Sequence, residues 1–404
     1  MKRIRIAAVV FLTALFGSQL VMAQNQTEQK DDKPGYVFTD EIRLDCTPVK
    51  NQHRSGTCWS YSGLSFIESE LLKNGKGETD LSEAFIIRMA YDDKADQYVR
   101  WHGNVNFAGG GAFHDVTHVI ARYGIVPEEV YDGLVIGEEY FVHGEMDEVF
   151  KKYVEGVIEN RNRKLTPVWD EGFEGLLNAY IGPYPETFTY KGVEYTPASY
   201  AASLGLDMDD YVEISSYTHH PFYEKFILEV PDNWMLDEVY NVPMDKMMEI
   251  IDHSLENGHT IAWAADVSEK GFSWSNGVAV VPDEEKPELS GTEKERWEKL
   301  TSSEKNKMLY NFDEPVKEKT ITQEMRQEAF DNYTTTDDHG MEIIGRANDQ
   351  NGNTYYIVKN SWGTENHKYD GFFYASDAFV KYKTMDIMVN KQAIPKQIRK
   401  KLDL

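Results

Sequence analysis

Cysteine is nearly absent. The 404 residues hold only two, Cys46 and Cys58, so the single possible bridge joins one to the other and stability must come from a packed core. Basic charge is also scarce: 42 Lys and Arg stand against 68 Asp and Glu, a net charge of −26. That balance excludes general binding to nucleic acid or to anionic lipid, both of which need a cationic surface. Long apolar runs are missing as well; residues 6–16 are too few to cross a bilayer, which takes roughly 20. No internal repeat is present. The chain is instead rich in core material, 41% apolar and 13% aromatic, enough for a large elaborated domain or two to three ordinary ones.

The first residues carry Lys2, Arg3 and Arg5, then the short apolar run, then Val21, Met22 and Ala23 before Gln24. That order predicts a secretory signal over residues 1–23 and an exported protein, periplasmic or secreted. No cysteine follows the run to accept an acyl anchor, so no stable membrane insertion is expected once the signal is removed. Residues 24–35 read as a flexible polar leader ahead of the ordered chain, 36–404.

Tyr61, Leu64, Ile67 and Leu71 are spaced for a helix over 59–72, and a second helix is expected over 81–101 behind Ser82. Gly109, Gly110 and Gly111 form a loop before a short helix that ends at Tyr123 and Gly124. Residues 125–330 read as a large insertion, with helices over 144–161 and 244–255 and a strand over 260–265. Residues 282–319, rich in Glu and Lys, read as a surface segment with some helix. Near the end, two β-runs flank the turn "NDQNGN", which predicts a hairpin, and "GFFYAS" follows as a further strand. Helices first and antiparallel strands last make an α+β pattern.

Chemistry concentrates in "PVKNQHRSGTCWSYS". Cys58 opens the first helix, where helix N-terminal N–H groups and a neighbouring imidazolium would favour the thiolate. Gly56 permits a tight turn before it. Gln52, on the approach loop, can donate to a developing oxyanion beside the Cys58 N–H. Among the 11 histidines, His339 is best placed, at the start of the hairpin. Asn360 ends the hairpin and can hold the imidazole toward the thiol, with Trp362 shielding the contact. Cys46 reads as structural and His53 as a surface residue. His114 and His118 lie four apart, but Asp115 stands where a zinc peptidase motif needs glutamate, and no third ligand follows; neither a metal nor a cofactor is expected. His219 and His220 read as solvated loop residues.

The segments "TPVKNQHRSGTCWSYS", "DDHGMEI" and "YYIVKNSWG" resemble the three signatures of papain-like cysteine peptidases. The resemblance implies a two-lobed fold, with Cys58 on a helical lobe and His339 and Asn360 on a β-rich lobe. It assigns nucleophile, base, orienting amide and oxyanion donor to Cys58, His339, Asn360 and Gln52. The glycine loop, through Gly110 and Gly111, would bind extended peptide substrates. The long interval from Cys58 to His339, with "GPYPETFTYKGVEYTPASYAASLGLDMDDYVEI" and "EAFDNYTTTDDHGM", is similar to the bleomycin hydrolase and aminopeptidase C branch. That branch implies a homo-oligomer, typically a hexamer, that removes residues from free N-termini. The sequence departs from it in its signal-like start, an expanded 282–319 segment and a C-terminus that stops at "KKLDL". The branch usually continues there as an arm into the cleft, so endopeptidase or dipeptide-releasing activity stands beside aminopeptidase activity as an expectation.

Overall fold

The computed structural model describes residues 35–286 and 289–404; the expected signal, and the leader up to residue 34, lie outside the described residues. The helix Cys58–Lys73 is buried on nearly every side. Its apolar residues Leu64, Phe66, Ile67 and Leu71 enter the helical core. Its polar face is buried too, because Ser65, Glu68 and Ser69 meet polar groups of the sheet and loops rather than water. The helix Glu83–Arg100 begins where Ser82 accepts from the Phe85 N–H, a serine N-cap. Phe113–Tyr123 follows the glycines and stops at Gly124, whose φ of 89° suits glycine.

Eleven strands of the described residues form one sheet. At its centre Ile261–Ala265 pairs antiparallel with both His339–Asp349 and Thr384–Asn390. The hairpin expected from the "NDQNGN" turn is His339–Asp349 with Thr354–Lys359, and Phe372–Ser376 adds to it. Phe38–Arg43 pairs with the far part of His339–Asp349, Phe38 opposite Asp349.

The central strand shows why two layers fit together. Successive side chains in a strand point to opposite faces. Ala262 and Ala264 face the helical core, while Ile261, Trp263 and Ala265 enter the second core beside the helix Met244–Glu256. Small alanines on one face let the Cys58 helix approach. On the other face Trp263 is fully buried and donates to Thr384 Oγ1 at 2.7 Å.

Residues 125–330 are thus woven into the body of the molecule. They supply the central strand and also Phe150, Val154, Phe173 and Leu177 to the helical core. The charged 282–319 segment carries two short helices, Gly291–Lys299 and Ser302–Leu309, anchored by buried Trp297 and Leu309.

Candidate active site

Cys58 is the first residue of its helix, and the N-cap, Thr57, makes no side-chain cap bond. The backbone N–H groups of Gly340 and Trp59 reach the sulfur and favour the thiolate. Burial outweighs them and pushes the thiol up to about 12, with Asp337 and Asp232 adding to the rise. This is opposite to the lowering expected from the helix N-terminus alone; the thiol is enclosed, and desolvation disfavours its charge.

His339 sits opposite Ala265 in the central pairing. Its Nε2 lies 2.7 Å from Asn360 Oδ1. Since that oxygen can only accept, Nε2 carries the hydrogen and Nδ1 is left with a lone pair for an incoming proton. Burial pushes the imidazole down to about 4, while Asn360 and Asp338 work the other way. Burial thus works against the charged form of both groups, the thiolate and the imidazolium. Trp362 covers the histidine, ring centroids 4.7 Å apart. Gly340 brings the two elements close: a Cβ there would lie 2.6 Å from Ser62 Oγ and 3.4 Å from Trp59 Cα.

Gln52 is buried and fixed. Its Oε1 accepts from Ser361 Oγ at 2.6 Å and its Nε2 donates to Ser55 O at 2.8 Å. One Nε2 hydrogen therefore remains for another acceptor. Its backbone N–H donates to Ser361 O at 2.8 Å, which ties the approach loop to the residue after Asn360. The sequence reading assigns Ser361 no role; its hydroxyl between Asn360 and Trp362 is the signal for it. Gly56 has no left-handed φ, so the tight turn expected there does not call for glycine; a Cβ at Gly56 would lie 3.6 Å from Gly109, an ordinary contact.

The glycine loop is held from beneath. Trp59 Nε1 donates to Gly109 O at 2.9 Å, and buried Lys94 donates to Ala108 O at 3.0 Å and to Gly110 O. Asp232 packs over Gly110, where a side chain would collide with its carboxylate, and a side chain at Gly111 would meet Trp59 and Asp115. Lys94→Met removes the donor to two inward carbonyls. It is expected to cost about 1–3 kcal/mol in urea unfolding and to raise KM for peptide substrates.

Of the remaining sequence candidates only His114 reaches this centre, lining the same cavity as Cys58 and His339. Cys46 and Cys58 are both free thiols, and burial pushes Cys46 up to about 11. His53 is exposed. His114 pairs with Glu213 at 2.8 Å and His118 with Asp93 at 3.0 Å, so the two histidines serve separate carboxylates. His219 and His220 do not simply face water: both contact Glu229, at 3.0 and 2.7 Å.

A thiol, an imidazole and an orienting amide, set where a helical layer meets a sheet, define the papain-like class of fold. The chain belongs to the Peptidase C1-like family, whose family model matches residues 6–153 and 291–404. It is 22% identical to an aminopeptidase C of Lactococcus lactis subsp. cremoris, over 88% of this chain and 84% of that protein. It is equally 22% identical to an aminopeptidase C of Listeria monocytogenes, over 93% and 86%. The solved structure of PepW from Lactobacillus rhamnosis superposes with a TM-score of 0.67 at 17% identity, covering 90% of this chain and 84% of that one.

Proposed function

We propose that the protein is a thiol aminopeptidase acting through Cys58. The observation that carries this reading is the buried His339–Asn360 hydrogen bond beside a cavity that Cys58 and His339 both line. Cys58 Sγ attacks the scissile carbonyl as its proton passes to His339 Nδ1. The free Nε2 hydrogen of Gln52 and the Cys58 N–H stabilise the oxyanion. His339 then protonates the leaving amine, and the thioester is hydrolysed by water that His339 deprotonates. Gly110 and Gly111 offer backbone to the extended substrate, and Trp362 keeps water from the His339–Asn360 bond. The similarity to aminopeptidase C proteins along most of their length supports a free N-terminus as the preferred end.

Residues 1–23 serve as an export signal in this reading, and the exported enzyme assembles as a homo-oligomer. Among the described residues no helix is long and apolar enough to cross a membrane. Intact mass of the exported protein reads the cleavage site, and light scattering reads the assembly.

The deciding experiment compares an aminoacyl coumarylamide with its N-acetyl form under reducing conditions, with Cys58→Ala as control. Cleavage of the free amine alone, by wild type alone, is expected. Equal cleavage of the blocked form would make the enzyme an endopeptidase, and no turnover of either would end the peptidase reading.

A further inference from the structure

His219 and His220 are neighbours in sequence, yet both rings turn toward one carboxylate. Their Nε2 atoms reach the two oxygens of Glu229, at 3.0 and 2.7 Å. The donor atoms of the three side chains lie within 4.8 Å of one another. A tetrahedral zinc ion, with bonds of about 2.0–2.1 Å, spaces its ligands about 3.3 Å apart. Both nitrogen–oxygen distances already fall inside that spacing, so only the two nitrogens have to approach.

The convergence is built into the fold. Asn241 is fully buried and holds the turn: its Nδ2 donates to the carbonyls of Tyr217 and His220 at 2.7 and 2.9 Å, and its Oδ1 accepts from the Tyr217 N–H. Asn241 ends the strand Glu238–Asn241, which also pairs with Lys225–Ile227, the strand leading to Glu229. Turn and carboxylate are thus fixed to the same strand. Each imidazole also lies on an aromatic face. His220 stacks on Phe226, centroids 4.7 Å apart, and His219 stacks on Phe330 at 5.6 Å. Little side-chain freedom is left to lose when a ligand arrives. The side chains of His219, His220 and Glu229 are still 30, 34 and 50% exposed, so an ion can enter and water can fill a fourth position.

The donor set selects the ion. Two imidazoles and one carboxylate suit zinc, cobalt or nickel, whereas calcium and magnesium take oxygen ligands. Gln327 Nε2 donates to His219 Nδ1 at 3.0 Å, which puts the ring hydrogen on Nε2, facing Glu229. A cation at Nε2 moves that hydrogen to Nδ1 and turns the Gln327 amide away, and the ring stays neutral. His220 has no such bond at Nδ1 to give up among the described residues.

We propose that His219, His220 and Glu229 bind a divalent transition-metal cation of the zinc type. The cation clasps the Tyr217–His220 turn to the segment around Glu229. Leu228 and Val230 flank Glu229 and line the cavity beside Cys58, so the site steadies one wall of the cleft without touching the thiol. It stands independently of the peptidase reading.

The test titrates Zn²⁺ calorimetrically into the full chain, free of any histidine tag and carrying Cys46→Ala and Cys58→Ala to remove competing thiols. One ion per chain is expected. Glu229→Gln keeps the side-chain shape and removes a ligand; with it, and separately with His220→Ala, affinity should fall by about tenfold or more. His118→Ala, which breaks only the pair with Asp93, should leave the affinity unchanged. Zn²⁺ should also slow hydrogen exchange over residues 225–233 in the parent and not in Glu229→Gln. Absence of a saturable site, or equal affinity in the parent, Glu229→Gln and His220→Ala, would overturn the proposal. Binding that leaves exchange over 225–233 unchanged would overturn the clasp.

Discussion

His339→Ala is expected to fold and to lose peptide hydrolysis by about 10⁴-fold or more, the scale seen when one member of a nucleophile–base pair is removed. The same change should be visible without any substrate. In the proposed mechanism, proton transfer to Nδ1 would give the buried thiolate a cation beside it. Without the imidazole, Cys58 keeps the burial that pushes it up to about 12, opposed only by the N–H groups of Gly340 and Trp59. The thiolate fraction below that value falls tenfold per pH unit, so iodoacetamide labelling at pH 6 to 8 should drop by about a hundredfold or more. It should recover only as the pH rises. Labelling of the variant at the wild-type rate at pH 6 would show that the helix N-terminus alone activates the sulfur. Cys46 is the second thiol and needs a Cys46→Ala background for the measurement.

Lys359→Met is expected to cost about 3–5 kcal/mol of stability, the penalty for removing one side of a buried charge pair. Lys359 and Glu342 face each other across the hairpin, residue opposite residue, and their side chains are 5% and 1% exposed. Lys359 Nζ donates to Thr47 Oγ1 at 3.0 Å and Ser65 Oγ at 2.6 Å. Glu342 accepts from Ser65 and Ser69 at 2.5 and 2.7 Å. This network fastens the Cys58 helix to the strands that carry His339 and Asn360. Loss of the ammonium leaves the Glu342 carboxylate with hydroxyls alone. Guanidinium unfolding measures the cost, and adding Glu342→Gln should return a large part of it. A single mutant as stable as wild type would mean that the lysine charge is not what holds the network.

The elements that carry Cys58, His339 and Asn360 were legible because each is local. A turn of polar residues between two β-runs brings His339 to Asn360 by hairpin geometry, and the helix beginning at Cys58 follows from the spacing of Tyr61, Leu64, Ile67 and Leu71. The acids that line the cavity beside Cys58 were not legible in this way. Glu213, Asp337 and Asp386 converge only through pairing between strands far apart in sequence, a register that no local pattern sets. The direction of the Cys58 shift was misjudged for a related reason: a helix N-terminus is visible in sequence, whereas enclosure by Gly340, Asp337 and the segment around Asp232 is not. The "IAWAA" run was recognised as a strand, but its central position was not, because a fully buried apolar run looks the same wherever the sheet places it.

The pairing order also has a consequence in time. During synthesis Cys58 leaves the ribosome long before the strand bearing His339, and Ile261–Ala265 waits for both of its neighbours. At ordinary translation rates that interval is on the order of tens of seconds. Throughout it the thiol has no base, and the first strand, Phe38–Arg43, has no partner until residues up to 349 emerge. On the proposed chemistry the protein is thus silent while it is being made, and its reactivity begins only when the latest-made strands close the sheet.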